Sequence, residues 1–104
     1  MTHRTQLNQA EEHLRRSREN LPVAAQLLYA VADLLVDAQP AEPVTNRVAG
    51  LAFTYAGLAV LAQYPQAVQD AALDRALAVV PEARPSETGG EWALRLRAAA
   101  GSVR

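Results

Sequence analysis

The chain has 104 residues, enough for one domain and too few for two, and half of them are hydrophobic. It contains no cysteine, which excludes a disulfide scaffold and a thiolate metal site. Its formal net charge of −1 provides no polycationic surface for nonspecific binding to nucleic acid.

Alanine is the most abundant residue, with 22 copies beside 14 leucines and a single phenylalanine. Alanine and leucine are strong helix formers, so the composition favours an all-α fold. Because many of the apolar side chains are single methyl groups, we expect stability to come from close approach of the helices. Abundant alanine and arginine without lysine indicate a high-GC bacterial genome.

Residues 1–20 are predicted to form an amphipathic N-terminal helix or arm, with Leu7 and Leu14 on its narrow apolar face. This segment lacks the apolar run of a secretory signal, so we expect a cytoplasmic protein. Its arginines are candidate nucleic-acid contacts, although glutamates interleave with them. They are Arg15, Arg16 and Arg18.

The second predicted helix begins at Leu21-Pro22, where proline suits the first helical turn, and ends near Ala38. Its core face is predicted to comprise Ala24, Leu27, Leu28, Val31, Leu34, Leu35 and Ala38. A second apolar stripe lies on nearly the opposite side and comprises Ala25, Tyr29, Ala32 and Val36. A neighbouring helix or another chain should cover that stripe.

The third predicted helix covers about residues 46–62, with Thr45 as its N-cap. From Val48 to Ala62 almost every residue is apolar, which is typical of a helix buried on all sides. We therefore expect it to be the central helix. Gly50 and Gly57 would allow another helix to pack at short distance.

The fourth predicted helix starts after Tyr64-Pro65 and reaches Val80, so that residues 21–80 form the core helices. Residues 81–90 are predicted to be a flexible connector because proline and glycine punctuate them. The spacing Thr88-x-x-Glu91 indicates a capping box that opens a C-terminal helix within 91–104. The alternation of Trp92, Leu94 and Leu96 leaves a short strand as the alternative for this segment.

No pattern of a nucleophilic, metal-binding or phosphate-binding site is present, so no catalytic residue, metal or cofactor is predicted. Two D-x-x-x-D pairs remain to be explained, Asp33 with Asp37 and Asp70 with Asp74. Four converging carboxylates would suit a hard cation such as Mg²⁺. The other interpretation is solvated helix edges or arginine partners, such as Arg75, Arg95 or Arg97.

The third and fourth helices carry a family resemblance. The residues Leu51-Ala52-x-x-Tyr55, Tyr64-x-x-Ala67, Leu73-x-x-Ala76-Leu77 and Pro81 resemble one tetratricopeptide repeat. The resemblance covers about 34 residues. It implies a helical hairpin that binds peptides or protein partners in a groove.

The predicted fold is thus an all-α, compact bundle of four or five helices in a single domain. Because the second and third helices are apolar on more than one face, we expect a non-enzymatic module that binds a protein partner or forms a homodimer. A nucleic-acid-associated regulator using the N-terminal arginines is the alternative, followed by the tetratricopeptide-like peptide-binding hairpin. The expected interface residues are Tyr29, Val36, Phe53 and Val60.

Overall fold

The computed structural model describes residues 21–38 and 40–103. In this part of the chain four helices form a bundle: α1 (Val23–Ala38), α2 (Asn46–Val60), α3 (Gln66–Val79) and α4 (Gly89–Ala100). The all-α prediction is confirmed. The predicted N-terminal helix, which would be the fifth, lies outside the described residues.

Helix boundaries follow local signals in the sequence. The Thr45 hydroxyl accepts a hydrogen bond from the Val48 amide at 3.1 Å, which caps α2 as predicted. Helix α3 starts directly after Pro65 and ends before Pro81. At the start of α4, Thr88 and Glu91 form the predicted reciprocal capping box, so the C-terminal segment is a helix and not a strand.

Helix α1 is the centre of the bundle, because it packs against each of the other three described helices. Its most extensive packing is with α4, which contributes Trp92 and Leu96 to the core. Among the described helices, α2 packs on α1 alone. Seven residues of α1 are buried: Ala24, Ala25, Leu27, Leu28, Val31, Ala32 and Leu35.

Two predictions about the core were wrong. The helix expected to be central, about residues 46–62, lies at the side of the bundle, and within α2 only Ala52 and Ala56 are buried. On α1, Leu34 and Ala38 are exposed although they were expected to be in the core. By contrast, Ala25 and Ala32 of the second stripe are buried, in agreement with the expectation that this stripe is covered. The buried residues of α2 and α3 are all alanines, whose small side chains allow close approach of the helix backbones.

Residues 81–90, predicted to be a flexible connector, contact both α4 and the loop that precedes α2. The carboxylate of Glu87, a buried residue, forms an ion pair with Arg95 at 2.6 Å. The indole Nε1 of Trp92 donates a hydrogen bond to the Pro81 carbonyl at 2.9 Å. Residues 43 and 88 form an isolated antiparallel β-bridge. These contacts join the connector to α4 and to the loop that precedes α2.

The Gly89-Gly90 pair opens α4 because the chain passes close to the loop before α2. The Gly90 amide donates to the Pro40 carbonyl at 2.9 Å, and the Gly89 amide donates to the Glu42 carbonyl at 2.9 Å. A Cβ atom at position 90 would lie 3.1 Å from the Pro40 carbonyl oxygen. Glycine at position 90 therefore lets the loop come close enough for its carbonyl groups to accept hydrogen bonds from two amides of the first helical turn.

Gly50 does not serve the close helix packing predicted for it, because a Cβ atom there would meet nothing within 4 Å. Gly50→Ala is therefore expected to raise the free energy of unfolding by about 0.5–1 kcal/mol through helix propensity. The corresponding rise in Tm is about 2–8 °C in a thermal melt. The matched control, Gly90→Ala, is expected to lower Tm because of the nearby Pro40 carbonyl. A lower Tm for Gly50→Ala would contradict the open environment of position 50.

The capping box makes stability depend on pH. Hydrogen bonds donated by the Thr88 backbone amide and then by its hydroxyl lower the pKa of Glu91 below its ordinary value of 4.5. Because the folded state favours the ionised carboxylate, this stabilisation is fully present above about pH 4.5 and is lost as pH falls through the lower folded-state pKa. In denaturant titrations at several pH values, Glu91→Gln should reduce the acid-induced loss of stability. An unchanged pH dependence would contradict this role.

Candidate functional site

The main candidate site is an apolar groove between α1 and α2, which we call the α1/α2 groove. Its volume is about 210 Å³, and the Tyr55 hydroxyl is the polar side-chain group among the residues that line it. The C-terminal half of α1 forms one wall and the N-terminal half of α2 forms the other. The lining residues are Leu34, Leu35, Ala38, Val48, Leu51, Ala52 and Tyr55.

An exposed row of large side chains extends the groove along α2. Leu51, Tyr55 and Leu58 follow one another at steps of four and three residues, so they share one face of the helix. Their exposed fractions are 46%, 60% and 66%, respectively. We call this row the outer stripe. Together with Leu34, which is 36% exposed, it forms a continuous apolar surface across both helices.

The outer stripe is exposed because α2 uses its alanines to pack. Ala52 and Ala56 directly follow Leu51 and Tyr55 in the sequence, and both alanines are buried. Consecutive residues are about 100° apart around a helix axis, so burying the alanines turns the larger neighbours outward. The same arrangement occurs in α3, where Ala72 and Ala76 are buried and Leu73 and Leu77 are exposed.

Opposite charges flank the two walls of the α1/α2 groove. Asp37 lies one turn after Leu34 on the α1 side, and Arg47 lies one turn before Leu51 on the α2 side; both are exposed. The other aspartate of this part of α1, Asp33, contacts the guanidinium of Arg97 on α4 at 3.0 Å. The rim of the groove is therefore acidic on one side and basic on the other.

The four interface residues predicted from the sequence do not line the α1/α2 groove. Tyr29, Phe53 and Val60 are partly buried and pack against the core, whereas Val36 is 36% exposed. Phe53 lines a different cavity. The groove lies between the same two helices that carry the predicted interface residues, but Leu34, Leu51 and Tyr55 line it instead. The predicted nucleic-acid contacts, Arg15, Arg16 and Arg18, lie outside the described residues.

A second cavity of about 640 Å³ lies between α2, the end of α3 and the connector. Phe53, Leu77 and Trp92 contribute its apolar surface, and Glu82 is the charged residue in its lining. The Thr45 hydroxyl at its edge is already used to cap α2. Among the described residues, its lining holds one carboxylate and no second titratable group.

The described aspartates do not assemble a metal site. Within residues 21–38 and 40–103, no group of three or more His, Cys, Asp or Glu side chains lies close enough to hold a metal ion. One predicted alternative, an arginine partner, is observed for Asp33, which contacts Arg97. In the second pair, Asp70 accepts a hydrogen bond from the Gln66 side chain at 2.8 Å.

The helix pair that resembles a tetratricopeptide repeat differs from such a repeat in its packing. In a helix-turn-helix repeat the two helices pack on each other. Here α2 and α3 both pack on α1 and do not pack together.

Comparisons with known proteins add no relative: the chain matches no family model, and neither curated proteins nor solved structures include a match to it. None of the described helices is both long enough and apolar enough to cross a membrane. A functional assignment therefore rests on the surface geometry.

Proposed function

We propose that this chain is a non-enzymatic helical module that makes protein–protein contacts through the α1/α2 groove and the outer stripe. The observation that carries the proposal is the exposure of Leu51, Tyr55 and Leu58 beside an open apolar groove. Continuous apolar surface of this kind favours association with another apolar surface, because contact removes both from water.

The outer stripe is not part of the core of the single protomer. The buried residues of α2 are Ala52 and Ala56, and the stripe lies on a different face. Polar residues at the exposed positions would therefore leave the core unchanged. Apolar side chains there instead supply free energy to an intermolecular contact, at about 25 cal/mol for each Å² of apolar surface removed from water.

The shape of the surface favours a helix as its ligand. A groove between two helices accepts the apolar face of a third helix, whose large side chains recur every three or four residues. The Tyr55 hydroxyl provides a hydrogen-bonding group within this apolar contact. A peptide or protein that presents an amphipathic helix is the class of partner that fits.

The proposal can be tested by photo-cross-linking in the cells that make the protein. A photoreactive amino acid at position 51 is expected to yield a discrete covalent adduct with another polypeptide. Position 94 is the matched control, because Leu94 is 65% exposed and lies on α4, away from the groove. Absence of an adduct at position 51, or the same adducts at both positions, would contradict the proposed contact surface.

A further inference from the structure

We propose that the occupant of the α1/α2 groove is a second copy of this chain, packed about a two-fold axis that runs parallel to the groove. This inference rests on the proposed function, since it names the partner for the same surface. It is drawn from two properties of the described residues: the self-complementary shape of the surface and the distribution of charge around it.

The surface contains both halves of a helix-in-groove contact. The groove accepts large apolar side chains at helical spacing, and the outer stripe presents such side chains at positions 51, 55 and 58. Leu51 and Tyr55 belong to both features, so the groove and the stripe are contiguous. In a two-fold dimer the same patch is used by both protomers, which requires a surface that is complementary to itself.

The charged rim selects the direction of the two-fold axis. A two-fold axis parallel to the groove exchanges the two walls, so that Asp37 of each protomer faces Arg47 of the other. Both residues are near the loop that joins α1 to α2, so they lie at the same end of the groove. A two-fold axis across the groove would instead place α1 on α1 in opposite directions, so that neither Asp37 nor Arg47 would face its opposite charge.

The neighbouring aspartate of α1 does not interfere with the pairing of Asp37 and Arg47 between protomers. Asp33 lies one turn before Asp37 on α1, but it contacts Arg97 of its own protomer at 3.0 Å. Asp37 and Arg47 are both exposed on the rim, where a partner's charge can reach them. Each dimer would contain two Asp37–Arg47 contacts, one on each side of the axis.

The test uses charge reversal in the full chain and measures association by sedimentation velocity from about 1 µM to about 1 mM, the range suited to an interface of modest area. The wild-type chain is expected to show a concentration-dependent monomer–dimer equilibrium. Asp37→Arg and Arg47→Asp should each raise the dissociation constant at least about tenfold, because each creates two repulsive contacts. Arg75→Asp, an exposed reversal on α3, should leave it unchanged.

Mixing the two single variants provides the decisive measurement. Asp37→Arg has two basic rims and Arg47→Asp has two acidic rims, so the mixture should form a heterodimer although neither variant dimerises well alone. This result cannot arise from an attraction within one protomer. The double variant, with both charges exchanged, should dimerise within a few-fold of the wild-type affinity.

Three outcomes would overturn the inference: a wild-type chain that remains monomeric at all concentrations, single variants that dimerise as well as the wild type, or a mixture that fails to associate. Circular dichroism of each variant verifies that it is folded. The proposed function would survive if cross-linking at position 51 captured a different protein. It would fail together with this inference if position 51 gave no adduct.

Discussion

Replacing Trp92 with alanine is expected to lower the free energy of unfolding by about 3–5 kcal/mol, the usual cost of removing a large buried aromatic side chain. Trp92 is only 3% exposed and belongs to the core that α4 forms with α1. Its indole also donates a hydrogen bond to the Pro81 carbonyl. The substitution therefore removes core volume and releases the connector from α4. Urea titration followed by circular dichroism measures the loss.

Trp92→Phe is the control that separates these two contributions. Phenylalanine retains most of the ring but leaves the Pro81 carbonyl without its indole donor, which is expected to cost about 1–2 kcal/mol. The Trp92→Phe variant should therefore lose less stability than Trp92→Ala. A Trp92→Ala variant within about 1 kcal/mol of the wild type would contradict the packing of α4 on α1.

Leu28→Ala is expected to cost about 2–5 kcal/mol, because this side chain is fully buried at the centre of α1. Helix α1 contacts every other described helix, so a cavity there weakens several packing contacts together. The chain has a single tryptophan, Trp92, whose fluorescence in a urea titration reports the unfolding transition.

Leu58→Ala, in the outer stripe, is the matched comparison because it makes the same chemical change at a residue that is 66% exposed. Its cost at low protein concentration should be about 0.5 kcal/mol or less. If the two leucine variants lost equal stability, α1 would not be the centre of the bundle.

The positions of the four described helices could be predicted from local chemistry. Proline at positions 22, 65 and 81 and the capping residues Thr45 and Thr88 act within one helical turn, so they determine where helices begin and end without reference to the rest of the fold. The C-terminal segment, predicted as a helix with a strand as the alternative, is a helix that opens with the predicted capping box at Thr88 and Glu91.

The choice of central helix could not be predicted in the same way. The stretch 48–62 is the most apolar in the chain, yet most of α2 is partly or fully exposed. Hydropathy counts Leu58 and Ala56 alike as apolar, whereas packing distance depends on side-chain size. Alanine at the contact permits close approach of α2 to α1, whereas leucine there would hold the two helices further apart.

The candidate site could be predicted to the level of helices and not of residues. An apolar surplus on the second and third predicted helices indicated a contact surface, and the groove lies between these two helices. The sequence feature that could have identified its residues is a pair of alanines one helical turn apart, Ala52 and Ala56. Each alanine is directly preceded by a larger residue, Leu51 or Tyr55. Tyr29 and Phe53 were selected because their helices are apolar on more than one face, and both are partly buried.

The central claim is that α2 packs through its alanines and turns its large side chains outward. Because the chain contains no cysteine, single cysteines at the adjacent positions 55 and 56 test this claim directly with a thiol reagent in dilute solution. Tyr55 is 60% exposed and Ala56 is fully buried. Under native conditions Tyr55→Cys should react at least about 100-fold faster than Ala56→Cys, and the two should react equally in denaturant. Equal native rates, or slower reaction at position 55, would contradict it.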